Sequence, residues 1–259
     1  MAGAQITAIH RELASLPTLV PSPTTDRLFR RLVALVTTAP AGTPIDPAVR
    51  ASLLRLCAEG EHELERVWAA RIAAARKPVA ELGGFPYLDN YLRLTRLELA
   101  TLRRLGVRPR RVLFVGAGPL PLSPLFLASA LGAEVDMLDR DPHAVVAAER
   151  VLARLGGRAV AGHGDLAECD DLGRYDLVIL AALVGTTPDA KRRHVGHLAR
   201  VMRPGAVLLA RSARGLRTLL YPEVDSADLD GFDVHLVVHP SGPVINSVVL
   251  ASRAVLSFR

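Results

Sequence analysis

The segment VLFVGAG at residues 112–118 narrows the possible folds of this chain more than any other feature. A short apolar run that ends at Gly116 and Gly118 predicts a buried strand followed by a tight turn, because glycine lets the backbone turn and approach a ligand. A dinucleotide-binding turn carries a third glycine, but Pro121 stands there in this chain. Pro119 and Pro121 also stiffen the start of the next helix, where a phosphate would need free amides. We therefore expect a nucleotide site that holds no phosphate.

The residues after 110 alternate between short β-rich runs and helical stretches, which is typical of a parallel sheet with crossover helices. Parallel strands are predicted at Arg111–Gly116, Glu134–Asp139, Ala159–Gly162, Leu177–Ala182 and Ala206–Arg211. Two further runs, Phe232–His239 and Val244–Ser252, flank the turn PSGP and predict an antiparallel hairpin. Five parallel strands closed by a hairpin resemble the class I methyltransferase form of the Rossmann-like fold.

The N-terminal part of the chain shows no strand pattern but places apolar residues at helical spacing. Helices are predicted within Ile6–Leu16, Thr24–Thr37, Ala48–Ala75 and Tyr87–Leu105. We therefore predict an α/β protein in two parts. A helical N-terminal domain spans residues 1–108, and a Rossmann-like domain with the class I methyltransferase fold spans residues 109–259.

The composition excludes several classes of protein. A chain of 259 residues that is 50% apolar can bury a full core. No run approaches the roughly 20 apolar residues that span a bilayer, and the first residues lack the pattern of a signal peptide, so we expect a cytoplasmic protein with no membrane partner. The net charge of +6 comes from arginines spread along the chain, and aromatic residues make up only 4%. This pattern argues against a nucleic-acid partner.

The cysteines and histidines give no metal-binding pattern. Cys57 and Cys169 lie far apart without CxxC spacing, which predicts free thiols. His194 and His197 form an HxxH pair, but they lie in an arginine-rich helical segment with no third ligand at a clear spacing. We therefore expect no metal site.

Acidic residues follow the second and third predicted strands, at the edge where an open parallel sheet binds its ligand. Asp139 ends the second strand, where a carboxylate can accept hydrogen bonds from both ribose hydroxyls, and Asp165 follows the third strand, in position to meet an adenine amino group. Alternatively, Asp139 and Asp141 both cap the next helix, and Asp165 is a solvated loop acid. The pattern suits S-adenosylmethionine at least as well as a dinucleotide. The residues predicted to bind this cofactor are Gly116, Gly118, Pro119, Asp139, Asp165 and Ala182.

Several longer segments together resemble one family. They are FPYLDNYLRLTRLE at residues 85–98, VGAGPLPLS at 115–123, LAALVG with Lys191 beyond it, MRPGAVLLARSARGLRTLLYPEVD at 202–225 and HPSGPVINSVV at 239–249. In this order they are similar to nicotianamine synthases and to their bacterial relatives that make opine-type metallophores. The segments LASLPTLVPSPTTDRLFRRLV and LCAEGEHELE extend the resemblance over almost the whole chain.

The resemblance implies a transferase that uses S-adenosylmethionine as the donor of a 3-amino-3-carboxypropyl group. An amine attacks the γ-carbon of the methionine part, and methylthioadenosine leaves. Family members join three such units into nicotianamine or attach one unit to histidine, and the reaction implies no metal. The expected partners are small molecules, and the sequence leaves the acceptor and the oligomeric state open. Two other classes stay open, an ordinary methyltransferase and a regulator that binds S-adenosylmethionine without turnover.

The attacking amine must lose a proton, which requires a base nearby. Tyr87, Tyr91, Leu94 and Glu98 share one face of a predicted helix, and that helix offers no cation to Glu98. We therefore predict that Glu98 receives the proton or fixes the amine, that Tyr87 or Tyr91 contacts substrate, and that the helical domain covers the sheet. In the alternative, the stripe is aromatic core and Glu98 pairs with a cation from elsewhere in the chain.

The donor and acceptor also carry carboxylates, which the planar guanidinium of arginine binds well. Arg211 ends a predicted strand at the ligand-binding edge, and Arg214 follows in the loop. Tyr221, His239 and Asn246 lie in segments that match the family and are predicted to line the acceptor side. In the alternative, the two arginines are solvated and the other three residues are structural.

Overall fold

The sheet has seven strands, and the chain folds around it. The computed structural model describes residues 1–254. The strands are β1 (Arg111–Val115), β2 (Glu134–Asp139), β3 (Val160–His163), β4 (Leu177–Leu180), β5 (Val207–Ser212), β6 (Phe232–Val238) and β7 (Ser247–Arg253). Their order in the sheet is β3-β2-β1-β4-β5-β7-β6. The first five strands are parallel, and β7 pairs antiparallel with both β5 and β6. The predicted Rossmann-like α/β fold with a terminal hairpin is confirmed.

The helices come in two groups along the chain. Those that precede the sheet are α1 (Ala2–Ser15), α2 (Pro23–Thr38), α3 (Pro47–Ala74), α4 (Pro78–Leu82) and α5 (Leu88–Arg104). Those between strands are α6 (Leu122–Leu131), α7 (Pro142–Leu155) and α8 (Pro188–Val201). No helix within residues 1–254 is long and apolar enough to cross a membrane. The domain boundary at residues 108 and 109 stays a prediction.

The N-terminal helices share their core with the C-terminal half of the chain. Ile6, Leu13 and Leu32 pack with residues that follow β5, among them Leu219 and Ile245. Segments more than two hundred residues apart in sequence therefore bury one another. This shared core fixes the N-terminal helices on the carboxyl ends of the central strands.

Helix α3 contributes to two hydrophobic cores, one among the N-terminal helices and one beside α7. It has 28 residues, which corresponds to a length of about 42 Å. Its first half contributes Leu53 and Cys57 to the core of the N-terminal helices, and its second half packs Trp68 and Ile72 against Val151 of α7. Residues in the middle of α3 therefore lie where the N-terminal helices meet the sheet.

Candidate active site

A large cleft lies at the carboxyl ends of the central strands, and we call it the sheet cleft. It encloses about 1950 Å³, including the space at its open mouth. The segments that line it are 114–120 at the end of β1, 138–141 at the end of β2, 164–166 after β3 and 181–186 after β4, together with Arg211 of β5. Every segment predicted to bind the nucleotide therefore faces one space, which is the position that this class of sheet uses for ligands.

The glycine turn after β1 has the conformation that the sequence predicts. Gly116 and Gly118 have φ angles of 81° and 65°, in the left-handed region that favours glycine. A Cβ on Gly116 would lie 2.4 Å from Val184 Cγ2. Both space and backbone conformation therefore require glycine at residue 116. Pro119 is buried beside the turn and lines the sheet cleft.

Asp139 stabilises this turn rather than capping α7. Its Oδ2 accepts the N–H of Gly118 at 2.8 Å, and its Oδ1 accepts the N–H of Asp141 at 3.0 Å. Asp141 is the cap of α7, since its side chain accepts the N–H of His143 at 2.9 Å. Each carboxylate oxygen can accept more than one hydrogen bond, so Asp139 keeps capacity for ribose hydroxyls.

The remaining two predicted cofactor residues also lie on the wall of the sheet cleft. Asp165 accepts the N–H of Ala167 at 2.9 Å and so caps the short 3₁₀ turn at Leu166–Glu168. Ala182 is buried, and its carbonyl accepts a hydrogen bond from Lys191. The cofactor roles of all six residues stay predictions. All six line the sheet cleft, and this shared location is consistent with those roles.

Glu98 forms an ion pair with Arg211, a cation from outside its own helix. Arg211 of β5 donates Nε to Glu98 Oε1 at 2.7 Å and Nη2 to Glu98 Oε2 at 3.2 Å, and Nη2 also reaches Ser123 Oγ at 2.8 Å. Glu98 is fully buried and is not part of the lining of the sheet cleft. Both of its carboxylate oxygens accept hydrogen bonds from Arg211. This geometry favours the alternative in which Glu98 pairs with a cation from elsewhere in the chain and orients Arg211, and the catalytic role of Glu98 stays a prediction.

A second cavity lies among the N-terminal helices, with about 900 Å³ of space that includes its opening to solvent, and we call it the helix cavity. Its lining includes Thr25, Phe29, Arg30, Val33, Cys57, Phe85 and Tyr87. Five residues line both spaces: Glu61, Glu65, Asn90, Tyr91 and Tyr221. The two spaces therefore meet at a polar junction built largely from glutamates and tyrosines.

Glu61 and Glu65 are functional candidates that are not among the residues predicted from the sequence. Tyr91 donates its hydroxyl to Glu65 Oε1, and a Cβ on Gly118 would lie 2.5 Å from Glu65 Oε2. Glu65 therefore touches the glycine turn. Burial raises the pKa of Glu65 well above its usual range, and the charge of Glu61 raises it further. Burial also raises the pKa of Glu61, although the Tyr221 phenol and Arg211 oppose this effect.

A signal for this pair was present in the sequence. Glu61 and Glu65 are four residues apart on one helix, so their side chains are neighbours. Like charges at this spacing destabilise a helix unless something else requires them. The segment EGEHELE, which the family resemblance already included, contains both residues.

The two predicted tyrosines differ in position. Tyr91 lines both spaces, whereas Tyr87 lines the helix cavity alone. Burial, followed by the charges of Glu61 and Asp26, raises the pKa of Tyr87 to about 12, so its phenol stays protonated near neutral pH. Both rings pack edge-on against Phe85, with centroid distances of 6.3 Å for Tyr87 and 5.9 Å for Tyr91. Their contact with substrate stays a prediction.

The five predicted substrate-binding residues separate into two groups. Arg211, Tyr221 and Asn246 line the sheet cleft, and the side-chain Nδ2 of Asn246 is buried with no hydrogen-bond partner among residues 1–254. Arg214 and His239 are exposed and line neither cavity. The structure does not bring these two residues to the site, and His239 lies 2.9 Å from Ser247 Oγ, within hydrogen-bond distance; their roles in substrate binding stay predictions.

Gly118→Ala is expected to destabilise the protein and to lower turnover. The substitution strains a residue at φ 65° by about 1–2 kcal/mol and places a Cβ against Glu65 Oε2. Gly132→Ala is the matched control, because Gly132 has φ 63° and nothing within 4 Å of its added Cβ. Urea denaturation and turnover of both variants separate backbone strain from displacement of Glu65. Equal loss of turnover in the two variants would contradict the contact with Glu65.

The sheet order, the glycine turn after β1 and the carboxylate at the end of β2 define a protein of the class I methyltransferase fold, the class that binds S-adenosylmethionine. A sequence model of the family described as nicotianamine synthase protein matches residues 3–257. The chain belongs to the nicotianamine synthase family, which confirms the resemblance seen in the sequence.

Curated relatives from plants match nearly the whole chain. Nicotianamine synthase 1 of Hordeum vulgare is 42% identical over 97% of this chain and 81% of its own length. Probable nicotianamine synthase 2 of Hordeum vulgare is 40% identical, over 96% and 79%. Nicotianamine synthase 2 of Arabidopsis thaliana is 38% identical, over 96% and 82%.

Solved structures show the same fold. The crystal structure of MtNAS in complex with MTA and tNA superimposes with a TM-score of 0.86, at 24% identity over 97% of each chain. The magnesium protoporphyrin IX methyltransferase ChlM from Synechocystis PCC 6803 with bound SAH gives a TM-score of 0.52, at 19% identity, over 64% of this chain and 84% of that chain. The likeness to MtNAS therefore includes the N-terminal helices, whereas ChlM matches a smaller part.

Proposed function

We propose that this protein transfers 3-amino-3-carboxypropyl groups from S-adenosylmethionine to an amine, releases methylthioadenosine and makes nicotianamine. One observation carries the proposal: two glutamates of raised pKa, the buried Glu65 and the half-buried Glu61, lie where the sheet cleft meets the helix cavity. A donor bound in the sheet cleft and an acceptor bound in the helix cavity would meet at a base. The family membership supports this reaction, as do relatives that carry the name nicotianamine synthase.

The order of the strands gives the donor a direction. Asp139 and Asp165 follow β2 and β3, so the adenosine lies over that side of the sheet. The aminocarboxypropyl group then extends over β1 and β4 towards β5, past Glu65 beside the glycine turn and towards Arg211 of β5. This direction brings the γ-carbon to the base. Because several carbons on the sulfonium are electrophilic, such placement selects the carbon that reacts.

Arg211 is suited to hold a carboxylate at this end. Glu98 and Ser123 occupy its Nε and Nη2, and its Nη1 has no hydrogen-bond acceptor among the described residues. Because the guanidinium is fixed, it loses little freedom when it binds a carboxylate through Nη1. The pairing with Glu98 thus positions Arg211 Nη1 as a hydrogen-bond donor in the sheet cleft.

In each transfer the acceptor nitrogen forms a bond to the γ-carbon as the C–S bond breaks. The sulfonium becomes the neutral thioether of methylthioadenosine, and the nitrogen becomes a substituted ammonium that gives its proton to Glu65. A carboxylate of raised pKa accepts that proton more readily near neutral pH than an ordinary one. Tyr91, bonded to Glu65, orients the carboxylate towards the junction.

Two arguments support repeated transfer with nicotianamine as the product. The relatives of 38–42% identity are named nicotianamine synthases. MtNAS, which shares the fold, binds MTA together with tNA, and its E81Q mutant binds S-adenosylmethionine.

Purified protein incubated with S-adenosylmethionine alone is expected to release methylthioadenosine and nicotianamine, as measured by mass spectrometry. A parallel incubation contains added histidine. Release of S-adenosylhomocysteine would establish an ordinary methyltransferase instead. A product that forms only with histidine would establish single transfer. Binding of the donor without any product in either incubation would establish a regulator.

A further inference from the structure

Lys191 of α8 is a buried cation that the proposed reaction does not use. Its side chain is 1% exposed, and its Nζ donates to the carbonyl of Ala182 at 3.0 Å and to that of Val184 at 2.5 Å. Lys191 forms no ion pair with any residue of the described range 1–254. Burial lowers its pKa to about 8, and the more distant charge of Asp228 opposes the decrease. A buried ammonium held only by carbonyls is costly, so its retention calls for an explanation.

The two bonds to Lys191 orient the loop that follows β4. The peptide bonds of residues 1–254 are all trans, so each N–H points opposite to the carbonyl of the preceding residue. The N–H groups of Leu183 and Gly185 therefore point away from the ammonium. Neither N–H has an acceptor among the residues that the structure describes, and both residues line the sheet cleft. Two free donors thus lie in the cleft wall opposite Lys191.

The position of this loop indicates what the two donors bind. β4 lies next to β1 on the side away from β2 and Asp139. In the donor orientation of the proposed function, on which this inference rests, the aminocarboxypropyl end of the donor passes over β1 and β4. The group at that end that accepts hydrogen bonds best is its α-carboxylate.

We propose that Lys191 is a positioning residue for the donor, which holds the carbonyls of Ala182 and Val184 so that the N–H groups of Leu183 and Gly185 bind the donor α-carboxylate. The uncompensated charge of the ammonium adds attraction for that carboxylate across the loop. Gly185 allows the loop to lie close to α8, because it has φ 72° and an added Cβ would lie 2.9 Å from the backbone nitrogen of Lys191. The loop is therefore held tightly against α8.

Two nucleosides test this proposal without turnover. S-adenosylhomocysteine keeps the aminocarboxypropyl group but has no sulfonium, and methylthioadenosine has a methyl group in its place. Calorimetry is expected to show that Lys191→Met weakens the binding of S-adenosylhomocysteine about 10- to 100-fold, the range for hydrogen bonds to a charged group. Binding of methylthioadenosine is expected to change less than about 3-fold, because it has no carboxylate. Lys77→Met, the same change at an exposed lysine, is the control and is expected to alter neither affinity.

The results distinguish this proposal from the proposed function. Equal weakening of both nucleosides in Lys191→Met, or no weakening of either, overturns the role of Lys191. A wild-type protein that binds neither nucleoside overturns the proposed function itself. If Lys191→Met does not fold, Lys191→Gln replaces it, because glutamine keeps N–H donors without the charge. The expected result is then the same selective loss, smaller in size, and equal loss of both nucleosides again overturns the proposal.

Discussion

Glu65→Gln is expected to lower turnover by about 10²- to 10⁴-fold while the protein still binds S-adenosylmethionine. The amide keeps the size of the carboxylate and can still accept the hydroxyl of Tyr91, but it cannot take a proton from the acceptor amine. The predicted donor contacts with the glycine turn and Asp139 do not involve this carboxylate. Release of methylthioadenosine at saturating donor measures the first effect, and calorimetry measures the second.

A matched control lies on the same helix. Glu63 pairs with Arg66 at 2.7 Å on the outer face of α3 and lines neither cavity. Glu63→Gln is expected to leave turnover within about 2-fold of wild type, as is usual for a surface substitution. Wild-type turnover in Glu65→Gln would remove Glu65 from the mechanism.

Glu61 provides a further test through the pH dependence of this reaction. The charge of Glu61 raises the pKa of Glu65, so Glu61→Gln is expected to lower that pKa. The base must be unprotonated, so turnover falls as the pH drops below the pKa of Glu65, and this fall is expected to begin at a lower pH in the variant. Unchanged pH profiles would show that the two carboxylates do not interact.

The raised pKa of Glu65 also makes the free energy of unfolding depend on pH. The folded protein binds a proton at Glu65 at pH values where the unfolded chain, with a pKa near 4.5, has lost it. The free energy of unfolding therefore decreases as the pH rises from the unfolded pKa through the folded one. Glu65→Gln removes this loss and is expected to be more stable than wild type above that window and not below it. Urea denaturation across the pH range measures the difference.

Glu98→Leu is expected to destabilise the protein by about 3–5 kcal/mol, the usual cost of leaving one partner of a buried ion pair alone. Arg211 would keep only Ser123 and the face of the Phe114 ring, whose centroid lies 5.1 Å from its guanidinium carbon. Urea denaturation measures the loss. Glu98→Gln is expected to cost less, because the amide oxygen still accepts one hydrogen bond from Arg211.

The double variant Glu98→Leu with Arg211→Met distinguishes the contribution of the ion pair to stability from the contribution of Arg211 to donor binding. Removing both charges from a buried site restores much of the lost stability, so the two substitutions are expected to be strongly non-additive. Donor affinity is expected to be lower than in the wild type, because the guanidinium that faces the cleft is gone. A Glu98→Leu variant of normal stability but without turnover would instead support Glu98 as the proton acceptor.

Most of the fold follows from local patterns in the sequence. The strands β1 and β2 lie within a residue of their predicted bounds, because short apolar runs that end at Gly116 and Asp139 are unambiguous. The short helix α4 at Pro78–Leu82 was missed, since five residues are too few to show a period. The last strand begins at Ser247 rather than Val244, because residues 244–246 still belong to the connection from β6.

The site is less predictable for a physical reason. Gly118 and Asp139 act within one turn region, so their spacing is visible in the sequence. The partner of Glu98 is 113 residues away, and inspection of one helix cannot reveal it. Glu65 on a helix reads as a surface acid until Tyr91 of another helix and the glycine turn bury it. Long-range packing, and not residue type, decides these assignments.

The place of β7 between β5 and β6 has a consequence for how the protein is made. A ribosome completes β7 after every other strand of the described sheet, although β7 lies inside the sheet. Until β7 emerges, β5 keeps an unpaired apolar edge, which is a template for aggregation in a nascent chain. The segment that carries Asn246 also docks beside β5 only at that moment. The order of synthesis therefore delays assembly of the active site until residues 247–253 have been made.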